Sequence, residues 1–419
     1  MFDRLPTFGF TRPPAVLLAV IASTFFVGFG GGVVFPILPN LGAVLGISAF
    51  MVGIILSANR FIRLVANAPA GALIDRIGTR RPFVLGLFIE GVATLGYVVA
   101  LFVPPPEAWF LLARVLWGLG SAAVFATAYT IAADVSTGDS RGTNMGIVRG
   151  GITMGFPAGL VLGGVVSALY SNAAAFVLAA AFALFASVVA YVLVPETHVE
   201  GDEGSSVKPW DIDTSVPAVT VGLVNFGLMF AYIGALFATL VLFLGEHDLS
   251  LFGLAPQGTS GVFMAGTVVS AAAFMLVGGR VSDTRKSRTP VLLFFLVVSF
   301  VGFLLLARAG SVIELAFACV FIGAGQGGTS GPLMALLADL TPDERMGRAS
   351  GTNNVFGDVG GGLGPMVSLP LVEAVGFEPI YAFCALVPLL AGGVLLVGVR
   401  RVTGTFRPGR TDTNATVAD

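Results

Sequence analysis

Six ionisable residues lie well inside long apolar runs: Arg60, Arg63, Glu90, Arg114, Arg149 and Asp358. A charge held in hydrocarbon costs several kcal/mol, so each is a candidate functional group. Arg60, Arg63 and Asn67 follow the i, i+3, i+7 spacing of one helical face. Arg63 precedes Asp75 by 12 positions, roughly 18 Å at 1.5 Å per residue. Asp358 lies about as far from the start of its own apolar segment. Equal depth predicts that Arg63, or Arg60 one turn away, meets Asp358, and that pairing relieves both. Such a pair acts either as a fixed structural bridge or as a switch that frees a charge for substrate or proton. Other chemistry has no residues to carry it. There is no cluster with metal-ligand spacing, and His198 and His247 are lone loop residues. No nucleophile sits beside a base. The stretch GDVGGGLGP, Gly357 to Pro365, continues a helical apolar pattern with neither a preceding strand nor a Walker lysine, which excludes a phosphate loop. No catalytic residue, cofactor or metal is expected.

The elements that position these charges are membrane spans. The 419 residues are 56% hydrophobic and 11% charged, with a mean hydropathy of +0.93, which excludes a soluble globule. Twelve apolar segments of roughly 20 to 28 residues can be drawn, beginning near 14, 47, 82, 107, 143, 173, 215, 256, 289, 312, 347 and 376. The first is too long for a cleaved signal peptide and has no A-x-A-like end. With these spans Arg4, Arg12, Arg76, Arg80, Arg81, Arg141, Lys208, Arg280, Arg285, Lys286, Arg288, Arg345, Arg348, Arg400, Arg401, Arg407 and Arg410 share one side, and Arg308 lies opposite. The excess assigns that side, with both termini, to the cytoplasm of a multi-pass cell-membrane protein. A net charge of -2 gives no reason to expect a nucleic-acid partner. Cys319 and Cys384 fall within apolar segments, where packed, reduced thiols are expected.

One short basic turn, GALIDRIGTRRP from Gly71 to Pro82, joins helices 2 and 3. About 208 residues on, GRVSDTRKSRTP places Gly279, Asp283, Arg288 and Pro290 over Gly71, Asp75, Arg80 and Pro82, so one half is a diverged copy of the other. Asp75 opposes the dipole of its own helix end and is expected to address the positive N-terminus of a neighbouring helix as a latch. Asp134 and Asp339 close helices 4 and 10 and are expected to pair with the basic turn of their own halves.

The turn resembles the G-x-x-x-D-R-x-G loop of the major facilitator superfamily through Gly71, Asp75, Arg76 and Gly78, with Thr79 where that family most often has arginine. The resemblance implies an all-α membrane protein of twelve helices in two six-helix bundles. Helices 1, 4, 7 and 10 would line a cavity, 2, 5, 8 and 11 form the contact between halves, and 3, 6, 9 and 12 the scaffold. Arg60, Arg63, Arg149 and Asp358 then belong near the moving interface and Glu90 to the scaffold. Asn225, Tyr232 and Gln326 are cavity candidates, with ordinary helix packing the alternative. Arg114, in LLARVLWGLGSAA, resembles a motif assigned to proton handling, with snorkelling to the outer surface as the other reading. GITMGFPAGLVLGG of helix 5 resembles the antiporter motif but carries Phe156 before Pro157. Its Gly151, Gly155, Gly159 and Gly163 make a smooth ridge for close helix packing or sliding. VVFPILP, with Pro36 and Pro39, resembles a P-x-x-P ending of drug-efflux branches. VPETH resembles the P-E-T that closes helix 6.

The expected domains are residues 1–195, a cytoplasmic linker at 196–214, a second bundle at 215–403 and a disordered tail at 404–419. Asn414 opens a glycosylation sequon on the wrong side to be used. The expected function is secondary active transport of small organic solutes by alternating access, as proton-coupled efflux by a monomer in the lipid bilayer. The alternatives are an organic-anion symporter or uniporter and a non-transporting membrane sensor.

Overall fold

Helices begin where the chain supplies their missing partners. The hydroxyls of Ser48, Ser171 and Ser311 accept from the backbone N–H of Met51, Ala174 and Glu314, each satisfying one orphan donor of a first turn. Prolines open other helices, at a position where the missing N–H costs nothing. The computed structural model describes residues 15–135, 141–197, 212–285, 287–406 and 408. Arg4, Arg12, His198, Lys208, Lys286, Arg407, Arg410 and Asn414 lie outside the described residues, as do most of the linker and tail.

Twelve helices are long and apolar enough to cross a membrane. They are α1 (Ala15–Val33), α2 (Ala49–Ile77), α3 (Arg80–Ala100), α4 (Pro106–Asp134), α5 (Arg141–Leu169) and α6 (Asn172–Leu193), then α7 (Val216–Glu246), α8 (Pro256–Thr284), α9 (Thr289–Arg308), α10 (Val312–Asp339), α11 (Asp343–Val375) and α12 (Phe377–Thr403). A short helix, Leu38–Leu45, follows α1. Residues Phe230–Leu236 of α7 are π-helical.

Within the first half α1 packs on α5 and α6, α2 on α4, and α3 on α4 and α6. Adding six to each label gives the packing of the second half: α7 on α11 and α12, α8 on α10, and α9 on α10 and α12. The repeat in the sequence is therefore a repeat of the fold. The glycine ridge of α5 packs against α1 of its own half, and a Cβ at Gly163 would lie 2.8 Å from Val33 Cα. Gly151, Gly155 and Gly159 meet Thr24, Phe25 and Phe29 in the same way. The ridge is thus a packing seam inside one half, not a sliding surface between halves. Cys319 and Cys384 are buried and free.

The halves meet through α2 against α11 and α5 against α8. On α2 and α11, Gly53 abuts Pro365 and Met366, and Ser57 donates to the carbonyl of Gly362. On α5 and α8, Gly164 abuts Gln257 and Leu160 abuts Gly261. All these contacts lie toward the face opposite the basic turns. Five turns nearer the basic face the same helix sides are bare. Gly71, Gly146 and Gly279 lie 18 residues from Gly53, Gly164 and Gly261, on the same sides at 100° per residue. A Cβ at any of the three would meet nothing within 4 Å. The two halves form a wedge, closed at one face and parted at the basic one.

Candidate functional site

The apex of that wedge carries the charges. Arg60 and Arg63 lie one turn apart on α2, and both turn toward Asp358 of α11. Arg60 Nη1 is 3.3 Å from Asp358 Oδ1, and Arg63 Nη2 contacts the same oxygen. The three side chains are 16%, 20% and 15% exposed, so this pair is screened far less than a surface one. Arg63 also lies over the ring of Phe125 on α4, 5.5 Å from its centroid. The sequence placed these residues at one depth, and the structure brings them together across the halves.

Arg114 does not snorkel. It is buried, donating from Nε to the carbonyl of Ile55 (3.0 Å) and from Nη2 to the carbonyl of Leu56 (2.7 Å) and to Asn59 Oδ1 (2.6 Å). Three acceptors on α2 replace the water that an outward-turned guanidinium would have sought. Arg149 is not part of the cluster. Its side chain is exposed on α5, with no hydrogen bond or ion pair among the described residues. Asn225 donates to the backbone carbonyl of Asn353 at 3.0 Å, a link between α7 and α11 within one half. Gln326 of α10 is buried, and its Oε1 has no hydrogen-bond partner among the described residues. Tyr232 is buried on the π-helical turn, its ring 5.0 Å from that of Phe237.

That π-turn belongs to a feature absent from the sequence expectations. Phe35, just after α1, and Phe156 of α5 reach Phe237 of α7 at 6.0 and 6.2 Å, the latter pair with planes 7° apart. The three rings plug the wedge between the halves on its closed side. The signal was Phe156 itself, which interrupts the antiporter-like motif where a glycine would leave a gap.

At the basic face the two halves lock their turns differently. Arg288 bonds Asp339 through two nitrogens, at 2.5 and 3.2 Å, and Asp283 at 3.0 Å. Burial works against its charge, but the bonds to Asp339 and Asp283 outweigh it, so the Arg288 pKa is raised. In the first half Asp134 does not pair with the basic turn; it accepts from Thr197 at 2.9 Å. Glu196, of the VPETH stretch, takes the N-terminus of α3 by accepting from Thr79 N (2.6 Å), Thr79 Oγ1 (2.9 Å) and Arg80 N (3.3 Å). A threonine where arginine is usual is what makes this cap, because its hydroxyl joins both Glu196 and Thr197. Gly78, at φ +84, lies directly under the Glu196 carboxyl and leaves room for it. Arg80 bends to the carbonyl of Tyr191 at 2.6 Å. Asp75, expected at a neighbouring helix N-terminus, is exposed and has no bond among the described residues, as are Arg76 and Arg81 in exposure.

Twelve spans in two like-packed halves, parted at one face around a partly buried ion pair, are the architecture of a membrane transporter. A family model described as Major Facilitator Superfamily matches residues 20–365 and 256–418. The chain belongs to that superfamily, and it is a transporter, not an enzyme. It is similar to Multidrug resistance protein 2 of Bacillus subtilis, at 22% identity over 91% of this chain and 93% of that one. It is 24% identical to the multi-drug resistance efflux pump PmrA of Streptococcus pneumoniae over 85% and 89% of the two chains. The same identity holds for quinolone resistance protein NorA of Staphylococcus aureus over 90% and 92%. Among solved structures, a bacterial homologue of the human lysosomal transporter Spinster, inward-facing and occupied, matches with a TM-score of 0.73 at 16% identity, over 96% of this chain and 93% of that one.

Proposed function

We propose that this chain exports small amphipathic organic compounds in exchange for protons, as a monomer, with its basic face and both termini in the cytoplasm. The observation that carries this is the wedge: the same sides of α2, α5 and α8 are packed at one end and bare at the other, with Arg60, Arg63 and Asp358 at the hinge. Rocking about that hinge would close the bare end and open the packed one. The excess of arginine and lysine on the parted face supports its being cytoplasmic, which makes this an inward-open state. Relatives named for multidrug and quinolone resistance support the substrate class. In this reading Gly71, Asp75, Arg76, Gly78, Arg80, Arg81 and Asp134, with Asp283, Arg288 and Asp339, form the latch of the cytoplasmic face, and Asn225, Tyr232 and Gln326 lie beside the substrate path.

A second reading, an organic-anion carrier, draws on Arg60, Arg63 and Arg114 outnumbering Glu90 and Asp358 at depth, with Arg149 exposed on α5. Proteoliposomes loaded with ethidium, norfloxacin or fluorescein separate the readings. Export predicts ethidium or norfloxacin flux that a proton gradient accelerates. Fluorescein flux alone favours the anion carrier, gradient-indifferent flux removes proton coupling, and no flux of any probe favours a sensor.

A further inference from the structure

Glu90 is the acidic residue at depth that the bridge leaves unused. It is 1% exposed, and neither carboxyl oxygen has a hydrogen-bond partner among the described residues. Gly120 of α4 packs against it, since a Cβ there would sit 2.9 Å from Glu90 Cγ. On the other flank Gly91 abuts Leu184 of α6, a helix whose one ionisable side chain, Tyr191, is at its basic end. Arg63 of α2 lies over the ring of Phe125 on α4, five residues along from the Gly120 that packs on Glu90. Arg114 of α4 is committed to α2, through Ile55, Leu56 and Asn59. The other ionisable residues of α4, Glu107, Tyr129 and Asp134, stand toward its ends.

An ionised carboxylate left dry and unpartnered costs several kcal/mol, and a buried carboxyl avoids that cost by taking a proton or a cation. Arg63, on the same side of α4, is committed elsewhere, because it crosses to Asp358. We propose that Glu90 is the proton-binding carboxyl of this transporter, and that its proton decides whether Arg63 is held across the halves by Asp358 or within the first half by Glu90. The proposal rests on the coupled-export reading. With the outer face open, hydronium in the cleft gives one proton to the Glu90 carboxylate. Arg63 is released to Asp358, and the halves close on that face, as seen here. With the basic face open, the proton passes to water there. Glu90 then draws Arg63 back, Asp358 keeps Arg60 alone, and the closed side loosens.

The test uses the full chain in liposomes, spin-labelled at Val44→Cys and Ile313→Cys. These positions are 74% and 70% exposed, near the outer face and one in each half. The label distance is read from about pH 5 to about pH 9 without substrate, spanning a perturbed carboxyl. The wild type is expected to lengthen with rising pH. Glu90→Gln, an uncharged isostere, should keep the short distance throughout and lose roughly tenfold or more of proton-driven ethidium flux. Glu90→Asp should keep a response with a shifted midpoint. Asp358→Asn, which leaves Arg63 to Glu90, should give the long distance at every pH. A wild-type pH response that Glu90→Gln reproduces overturns Glu90 as the site while leaving coupling intact, and short distances in Asp358→Asn overturn the exchange of Arg63. A wild type whose distances and flux both ignore pH overturns the coupled reading together with this one.

Discussion

Arg60 and Arg63 share a single carboxylate, that of Asp358, so the bridge between the halves is asymmetric. Loss of Asp358 removes the partner that both arginines share across the halves, whereas loss of one arginine leaves the other in place. Breaking a buried pair costs about 3 kcal/mol or more, so Asp358→Asn should lower the melting temperature of the purified protein well below that of Arg60→Gln or Arg63→Gln. Equal melts for the three would mean that the carboxylate is not shared. The exchange Arg63→Asp with Asp358→Arg needs Arg60→Gln as well, because Arg60 would otherwise face the new arginine. The triple variant should regain stability to within about 1 kcal/mol. If it also transports with an unchanged pH profile, the bridge is structural alone.

Gly71 and Gly279 should matter for turnover and not for the state described here. Leucine at either meets open space and gains about 0.8 kcal/mol of helix propensity, so thermal stability should hold or rise. Closing the basic face would bring these sides against α11 and α5, and flux should fall by roughly tenfold or more. Gly53→Leu is the contrast, since its Cβ would lie 2.7 Å from Met366 Cα, and it should destabilise the protein. Undiminished flux in Gly71→Leu would argue against closure at this face.

Depth, spans and the repeat were legible because each follows from counting: 1.5 Å per residue fixes how far a charge sits from a surface turn, and apolar length fixes the spans. That is why Arg63 and Asp358 could be matched across 295 positions. Partners fixed by side-chain direction were not legible. Arg114 found carbonyls on α2, Asp134 found Thr197, and the glycine ridge of α5 faces α1, each a choice among neighbours that spacing along one helix does not make. The contacts of Asp75 were illegible for another reason, since its partners depend on which end of the wedge is closed.

The aromatic plug should be a gate. Phe156→Ala removes the ring stacked on Phe237 from a half-buried position, at a cost below the about 3 kcal/mol of a full core truncation. Downhill leakage of ethidium from proteoliposomes without a proton gradient should increase, while gradient-driven accumulation falls. An unchanged leak rate would show that the rings do not seal the path.

The cap on α3 predicts a stability effect distinct from the latch. Glu196→Ala removes the hydrogen bonds accepted from Thr79 N, Thr79 Oγ1 and Arg80 N and should cost about 1–2 kcal/mol in a thermal melt. Asp75→Asn, with no bond to lose among the described residues, should leave the melt unchanged and still slow transport. A destabilised Asp75→Asn would place its role in folding instead of turnover.

Alternating closure is tested most directly by a disulfide at the parted face. Gly71→Cys on α2 and Gly347→Cys on α11 lie on sides that this structure leaves bare, each Cβ with nothing within 4 Å, whereas a disulfide needs its Cβ atoms about 3.8 Å apart. Cys319 and Cys384 are buried and need no replacement. In membranes under mild oxidation the pair should cross-link, ethidium flux should stop, and reduction should restore it. Normal flux from a pair that never cross-links would contradict the account.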